Sequence, residues 1–343
     1  METTNGCSIP RTSRTTDRLV YIDIAKALCI VLVVIGHYAP AGCPAWWQCV
    51  HDIIYTFHMP LFMFAGGFVY MATKKDESYT AFIIKKVRRL MIPYFVVSAI
   101  VIGLKLLADN IMYVQHPKTA MSFVRMFYYP EAGAFLWFIY ALWWMFVVVP
   151  LFKTKGQRLV LFGISILLHY VPFALPDVLC LAEFKTMLIY FMLGVIMYDW
   201  KSSLAVLGRV PTSVYILLFA AACAILNANA GELWQTCARV AAPFLGIAAT
   251  ISLSKVVEKL KIGKNWLITT SASSYIIYLF HTTFEGLAKA VLVKIPYIND
   301  MTDHFAFLLG AIWVVACGVV LPIVLNEKIL KKYTLTKVLF GLK

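Results

Sequence analysis

Ten windows of about 20 mostly apolar residues run through this chain, at roughly 19–38, 53–72, 90–108, 134–152, 158–175, 180–198, 212–229, 238–256, 273–292 and 305–326. Hydrocarbon offers no partner to backbone N–H and C=O groups, so a segment this apolar crosses a bilayer as an α-helix that satisfies them internally. The expected fold class is an all-α integral membrane protein, a single bundle of about ten transmembrane helices. Composition agrees: 61% of the 343 residues are hydrophobic and 14% charged, where a soluble domain carries ~25% charged residues. No linker-like boundary interrupts the chain. The division read here is an N-terminal segment, 1–17, a membrane domain, 18–328, and a basic tail, 329–343.

Lysine and arginine test the count independently. One set of connections holds Arg11, Arg14 and Arg18; Lys74, Lys75, Lys85, Lys86, Arg88 and Arg89; Lys153, Lys155 and Arg158; Lys201 and Arg209; Lys255, Lys259, Lys261 and Lys264; and the tail lysines from 328 to 343. The alternate connections hold few, chiefly Lys118, Arg125 and Lys294. By the positive-inside rule the rich set is cytoplasmic, which places both termini inside and requires an even number of spans. The net charge of +14 is then topology, and with no nucleic-acid motif no nucleic-acid partner is expected. Residues 1–17 are polar and the following run is too long and too charged for a signal peptide, so the first span is expected to persist in the mature protein. The eight cysteines show no metal-ligand spacing and no metal is expected; Cys29, Cys180, Cys223 and Cys317 read as small apolar residues. Cys43 and Cys49 share a loop placed outside the cytoplasm, where a disulfide can form.

Polar residues inside the apolar windows are the candidates for chemistry, because a charge near a bilayer centre costs at least ~2.5–3.5 kcal/mol. The first window carries Asp23 and Lys26 and ends on Gly36-His37. Lys26 and His37 are eleven residues apart, which returns them to within about 20° on one helical face, ~16 Å apart along the axis. The bland alternative, weighed below a functional site, is a structural ion pair between Asp23 and Lys26 or snorkelling side chains. The second window carries Phe57-His58-Met59-Pro60-Leu61-Phe62, with Pro60 in its first turn, followed by Ala65-Gly66-Gly67, whose small residues admit a close helix. Lys85, Lys86, Arg88 and Arg89 precede the third window and Pro93; they are either ordinary positive-inside bias or a phosphate grip. His281 and Glu285 fall one turn apart on one face of the ninth. The run 135–144, with Trp137, is simplest as an aromatic belt.

Taken together, Arg18, Asp23-Ile24-Ala25-Lys26 with Gly36-His37, Phe57-His58-Met59-Pro60-Leu61-Phe62, Lys86-x-x-Arg89-Leu90 before Pro93-Tyr94, Leu136-Trp137-Phe138 and Tyr278-Leu279-Phe280-His281 resemble the membrane acyltransferase 3 family. The Phe-His-Met-Pro version looks most like its fucose 4-O-acetylase-related branch. The motifs follow family order over most of the chain. The resemblance implies an O-acyltransferase of the bacterial cytoplasmic membrane, taking an acyl group, acetyl by expectation, from cytoplasmic acyl-CoA to a hydroxyl of a carbohydrate or lipid-linked glycan, with acetyl-CoA as substrate and no bound cofactor. It implies catalytic roles for His37, Lys26 and Asp23 and acyl-CoA binding by Lys86 and Arg89, helped by Lys85 and Arg88. Arg18, His58, Trp137, His281 and Glu285 are assigned to the substrate cavity. Lys86 stands where the family has arginine, which keeps the charge without the bidentate fork. The rival readings are a proton-coupled transporter using Asp23, Lys26, His37, His281 and Glu285 as a relay, and a glycan flippase. Neither accounts for the Lys86-x-x-Arg89 pattern, and the chain has no obvious inverted repeat.

Overall fold

A computed structural model describes residues 19–109, 117–200, 207–228, 230–261, 263–295 and 301–342. Arg18 and the segment 1–17 lie outside the described residues. Every described element is helical: α1 (Val20–His37), α2 (Ala45–Ala72), α3 (Tyr79–Lys86), α4 (Ile92–Asp109), α5 (Ser122–Arg125), α6 (Trp137–Val148), α7 (Lys155–Tyr170), α8 (Leu181–Asp199), α9 (Thr212–Asn227), α10 (Glu232–Leu260), α11 (Lys264–Leu292), α12 (His304–Leu325) and α13 (Thr334–Leu339). Each apolar window falls on a helix. Among the described residues, seven helical segments are long and apolar enough to cross a membrane: Val20–His37, Ala45–Ala72, Tyr79–Leu107, Ala134–Leu151, Leu181–Asp199, Glu232–Leu260 and His304–Leu330. Of the remaining three, α7 and α9 have 16 residues each, and α11, at 29 residues, carries a run of Ser and Thr together with His281 and Glu285.

Local chemistry sets several boundaries. A Thr154–Gln157 capping box starts α7 at Lys155, and Asp303 caps α12 through the Phe305 and Ala306 amides at 2.8 and 3.2 Å. The helix α7 stops at Tyr170, five residues before the end of its window, because the buried Lys185 ammonium donates to the Val171 and Phe173 carbonyls at 2.9 and 2.6 Å and turns the chain away. One expectation about proline is corrected. The Trp- and Gln-bearing stretch before the second window is itself helical, so Pro60 lies well inside α2 rather than in its first turn. Its missing N–H deprives the Thr56 carbonyl of a partner, an interruption that membrane helices tolerate when neighbours support them; Cys29 Sγ donates to the His58 carbonyl beside it at 3.0 Å. Ahead of Pro93, a π-helical turn, Val87–Met91, joins α3 to α4, so the basic cluster sits on a continuous helix instead of a loop.

The helix α1 occupies the middle of the bundle. Ile24, Ala25, Ala27, Cys29, Ile30 and Val34 are fully buried against α2, α10, α11 and α12. The crossing of α2 and α8 depends on two glycines used reciprocally: a Cβ at Gly67 would strike the Phe191 carbonyl, and one at Gly194 would strike the Phe64 carbonyl. A buried ion pair ties α7 to α8, with Arg158 Nε and Nη2 reaching the two Asp199 oxygens at 2.6 and 2.8 Å. The chain after α12 does not hang free as a tail. A second π-helical turn, Asn326–Leu330, and α13 fold back so that Leu330 and Phe340 are buried, Phe340 lies 5.4 Å from the Phe280 ring, and Gly341 (φ +63°) rests against the backbone of Arg89. Cys43 and Cys49 are both free thiols.

Candidate active site

Two helices far apart in sequence build the centre of the site. Near their starts Ser271 donates to Asp23 Oδ1 at 3.0 Å, and further along both chains the rings of His37 and His281 lie 4.8 Å apart. The order of these contacts makes α1 and α11 parallel neighbours. His281 is fully buried, with Nδ1 at 2.8 Å from the Tyr278 carbonyl and 3.1 Å from that of Ile277. A carbonyl only accepts, so Nδ1 carries the proton and the neutral ring presents the lone pair of Nε2. That Nε2 and the Oε1 of Glu285, a residue 1% exposed, have no hydrogen-bond partner among the described residues.

Orphaned buried polar atoms are expensive in a packed interior, and a catalytic role is one of the causes that retains them. The neighbouring elements confine them. A Cβ at Gly318 would come within 2.7 Å of Val34 and 3.0 Å of Glu285 Cγ, so only glycine lets α12 close over α1 and α11 here. The Phe135 ring is centred 6.0 Å from that of His37 and 5.3 Å from that of His281, near-perpendicular to both, held in place where the Tyr278 hydroxyl donates to its carbonyl. His37, at the last residue of α1, is half-buried and therefore reachable, unlike His281.

His58 approaches from α2. It is buried, donates Nδ1 to the Ile54 carbonyl at 2.8 Å and lies 4.8 Å from the Tyr55 ring, while Gly36 lets Tyr55 and Ile54 close on α1 beside His37. Lys26 is half-buried, on α1 between the Asp23 and His37 levels. The basic cluster is separate from the histidines but coupled to the same helix: Tyr275 of α11 donates to the Leu90 carbonyl at 3.4 Å. Its members differ. Lys85 pairs with Glu77, Lys86 stacks its ammonium 3.5 Å from the Phe146 ring centre, and Arg88 and Arg89 are exposed. Trp137 packs edge-on against Phe138. Sequence reasoning passed over Phe135, Ser271 and Gly318. Nothing in their local sequence distinguishes them from packing residues.

The sequence matches the acyltransferase domain family over residues 19–326. The chain is a member of the acyltransferase 3 family. Nodulation protein NolL of Mesorhizobium japonicum is a distant relative of this chain, 26% identical over 156 residues that make up 42% of this chain and 38% of NolL. The match therefore spans well under half the length of that relative. No solved structure matches the chain. Its candidate centre thus joins a reachable imidazole, a second imidazole fixed as a proton acceptor and a carboxyl group, in a site shielded by Phe135 and Tyr278, the kind of set that takes a proton from a hydroxyl or carries an acyl group.

Proposed function

We propose that this acyltransferase moves an acetyl group from cytoplasmic acetyl-CoA to a hydroxyl of a cell-surface carbohydrate or lipid-linked glycan, in the bacterial cytoplasmic membrane, through a bundle of ten spans with both termini inside. The observation that carries the reading is the pair His37 and His281, packed ring against ring with the orphaned His281 Nε2 and Glu285 Oε1 alongside.

In the general-base form, His37 accepts the acceptor's hydroxyl proton while that oxygen attacks the thioester carbonyl. The C–O bond forms, the C–S bond breaks, and the CoA thiolate leaves and takes up the proton. In the covalent form His37 first takes the acyl group with loss of the thiolate, then yields it to the hydroxyl. In either form His281, locked with its lone pair outward, and Glu285 one turn on position His37 and hold the displaced proton. Lys26, oriented by Asp23, supplies positive charge for the developing oxyanion. Lys86 and Arg89, with Lys85 and Arg88, grip the CoA phosphates, and the half-exposed position of the cluster on the π-helical turn leaves Arg88 and Arg89 open to do so. Parallel packing of α1 and α11 supports the count, because the first and ninth of ten spans, eight apart, cross the membrane in the same direction.

Transfer of radiolabelled acetyl from acetyl-CoA to membrane glycan is measured with wild type and His37→Ala at equal abundance. Label from wild type alone is the expected result, with a loss of about 10²–10⁴-fold in the variant. Equal label in both removes His37 from the chemistry; none in either, with a range of glycans and longer donors supplied, removes acyl transfer.

A further inference from the structure

The outer half of α2 carries a stripe of residues that the reaction above does not use. Gln48, His51, Asp52, Tyr55 and His58 recur at helical spacing on one side of α2. They form a connected arrangement: Gln48 Nε2 donates to Asp52 Oδ1 at 2.8 Å, His51 Nδ1 meets the same oxygen at 3.1 Å, the His51 ring stacks on Tyr55 at 4.1 Å and 26°, and Tyr55 lies 4.8 Å from His58. At its outer end a cleft of about 580 Å³ opens between α2, the loop that follows His37 and Asn227 at the end of α9. At its inner end the Tyr55 ring lies against Gly36, the residue before His37.

We propose that this cleft and stripe form the acceptor subsite, taking a pyranose ring of the glycan and leading one of its hydroxyls to His37. The inference rests on the acyl-transfer reading for its purpose, and on separate observations for its place. Gln48 Nε2 donates to Oδ1 of Asp52 and His51 Nδ1 lies beside the same oxygen, which fixes the carboxylate and leaves Oδ2 to accept from sugar hydroxyls. The amides of Gln48 and Asn227 line the same cleft, so donors and acceptors alternate as a run of vicinal hydroxyls does. Tyr55, 46% exposed, offers the aromatic surface on which the apolar C–H face of a pyranose packs. The cleft volume lies within the ~300–1,000 Å³ of small-molecule sites. Among the described residues the cleft and stripe hold no lysine or arginine, so the set suits a neutral sugar rather than a phosphate.

Saturation-transfer difference NMR on the purified full chain in detergent, with methyl α-L-fucopyranoside as the probe and methyl α-D-glucopyranoside for comparison, reads binding without any need for turnover. Wild type and His37→Ala should both saturate the fucoside, and Asp52→Ala and Tyr55→Leu, each with an unchanged thermal transition, should weaken the signal about tenfold. In the acetyl-transfer assay the same two variants should raise the acceptor KM about tenfold and leave that for acetyl-CoA unchanged. Undiminished saturation in Asp52→Ala and Tyr55→Leu, or none in wild type with either glycoside, overturns the subsite. Sugar binding by a wild type that transfers no acetyl overturns the acyl-transfer reading and leaves the subsite standing.

Discussion

His58 and His281 are held by one device at two places. Each directs Nδ1 to the carbonyl four residues back on its own helix, so both present Nε2 as an acceptor without help from any other side chain. The difference lies in what surrounds them, for of the two His281 packs its ring tilted against that of His37 and is followed by a buried, unpartnered carboxyl. His281→Gln, which keeps size and polarity but cannot carry a proton, should lower kcat at least tenfold with acetyl-CoA KM unchanged and the thermal transition retained. Glu285→Gln should do the same to a smaller degree. A normal kcat in both variants would reduce the pair to packing. Lys185 shows the contrasting case of a buried charge with a structural task. Lys185→Met strips the partner from two carbonyls at the end of α7 and should lower stability by ~1–3 kcal/mol with kcat unchanged, as measured by thermal unfolding in detergent.

Among the elements, α2 and α8 approach backbone against backbone at Gly67 and Gly194. Gly194→Val places methyl groups where the Phe64 carbonyl and Phe68 amide now stand, and neither can move without unwinding α2. The expected outcome is loss of the folded monomer on size-exclusion chromatography, where Ala221→Val, on half-exposed α9, should elute as wild type. The Arg158–Asp199 pair, whose side chains are 6% and 5% exposed, joins α7 to the end of α8. Breaking one partner in Asp199→Asn leaves an uncompensated guanidinium and should cost ~3–5 kcal/mol of stability, whereas the joint change to Met and Leu should recover much of it. Equal thermal transitions for the single and joint variants would show that the pair contributes nothing through its charge.

For the molecule as a whole, topology is the property open to a direct test. Cysteines introduced at Lys328 and Lys153 should react with a membrane-impermeant maleimide only after cells are opened, and one at Lys118 should react in intact cells, in a background with the native cysteines replaced. Labelling of Lys328→Cys from outside would put the C-terminus on the other face. The apolar windows, the basic connections and the motif order were legible in the sequence, because a helix in hydrocarbon satisfies its own backbone and its length and charge bias follow from the bilayer alone. For the same reason His37, His58, His281 and Glu285 stood out, as ionisable groups that an apolar environment would otherwise exclude. The place of Pro60 inside α2, the folding back of residues 326–342 onto Arg89, and the roles of Phe135, Ser271 and Gly318 were not legible. Each depends on which helices become neighbours. The α1–α11 contact joins residues about 240 positions apart in the chain, and helical periodicity says which face of a helix is polar but not which partner receives it. A helical membrane bundle carrying ionisable groups follows from the chemistry of the chain alone, whereas the meeting of His37 and His281 ring to ring follows from packing, because small residues set against backbone are what select helix neighbours in a medium with no hydrophobic difference between lipid and side chain.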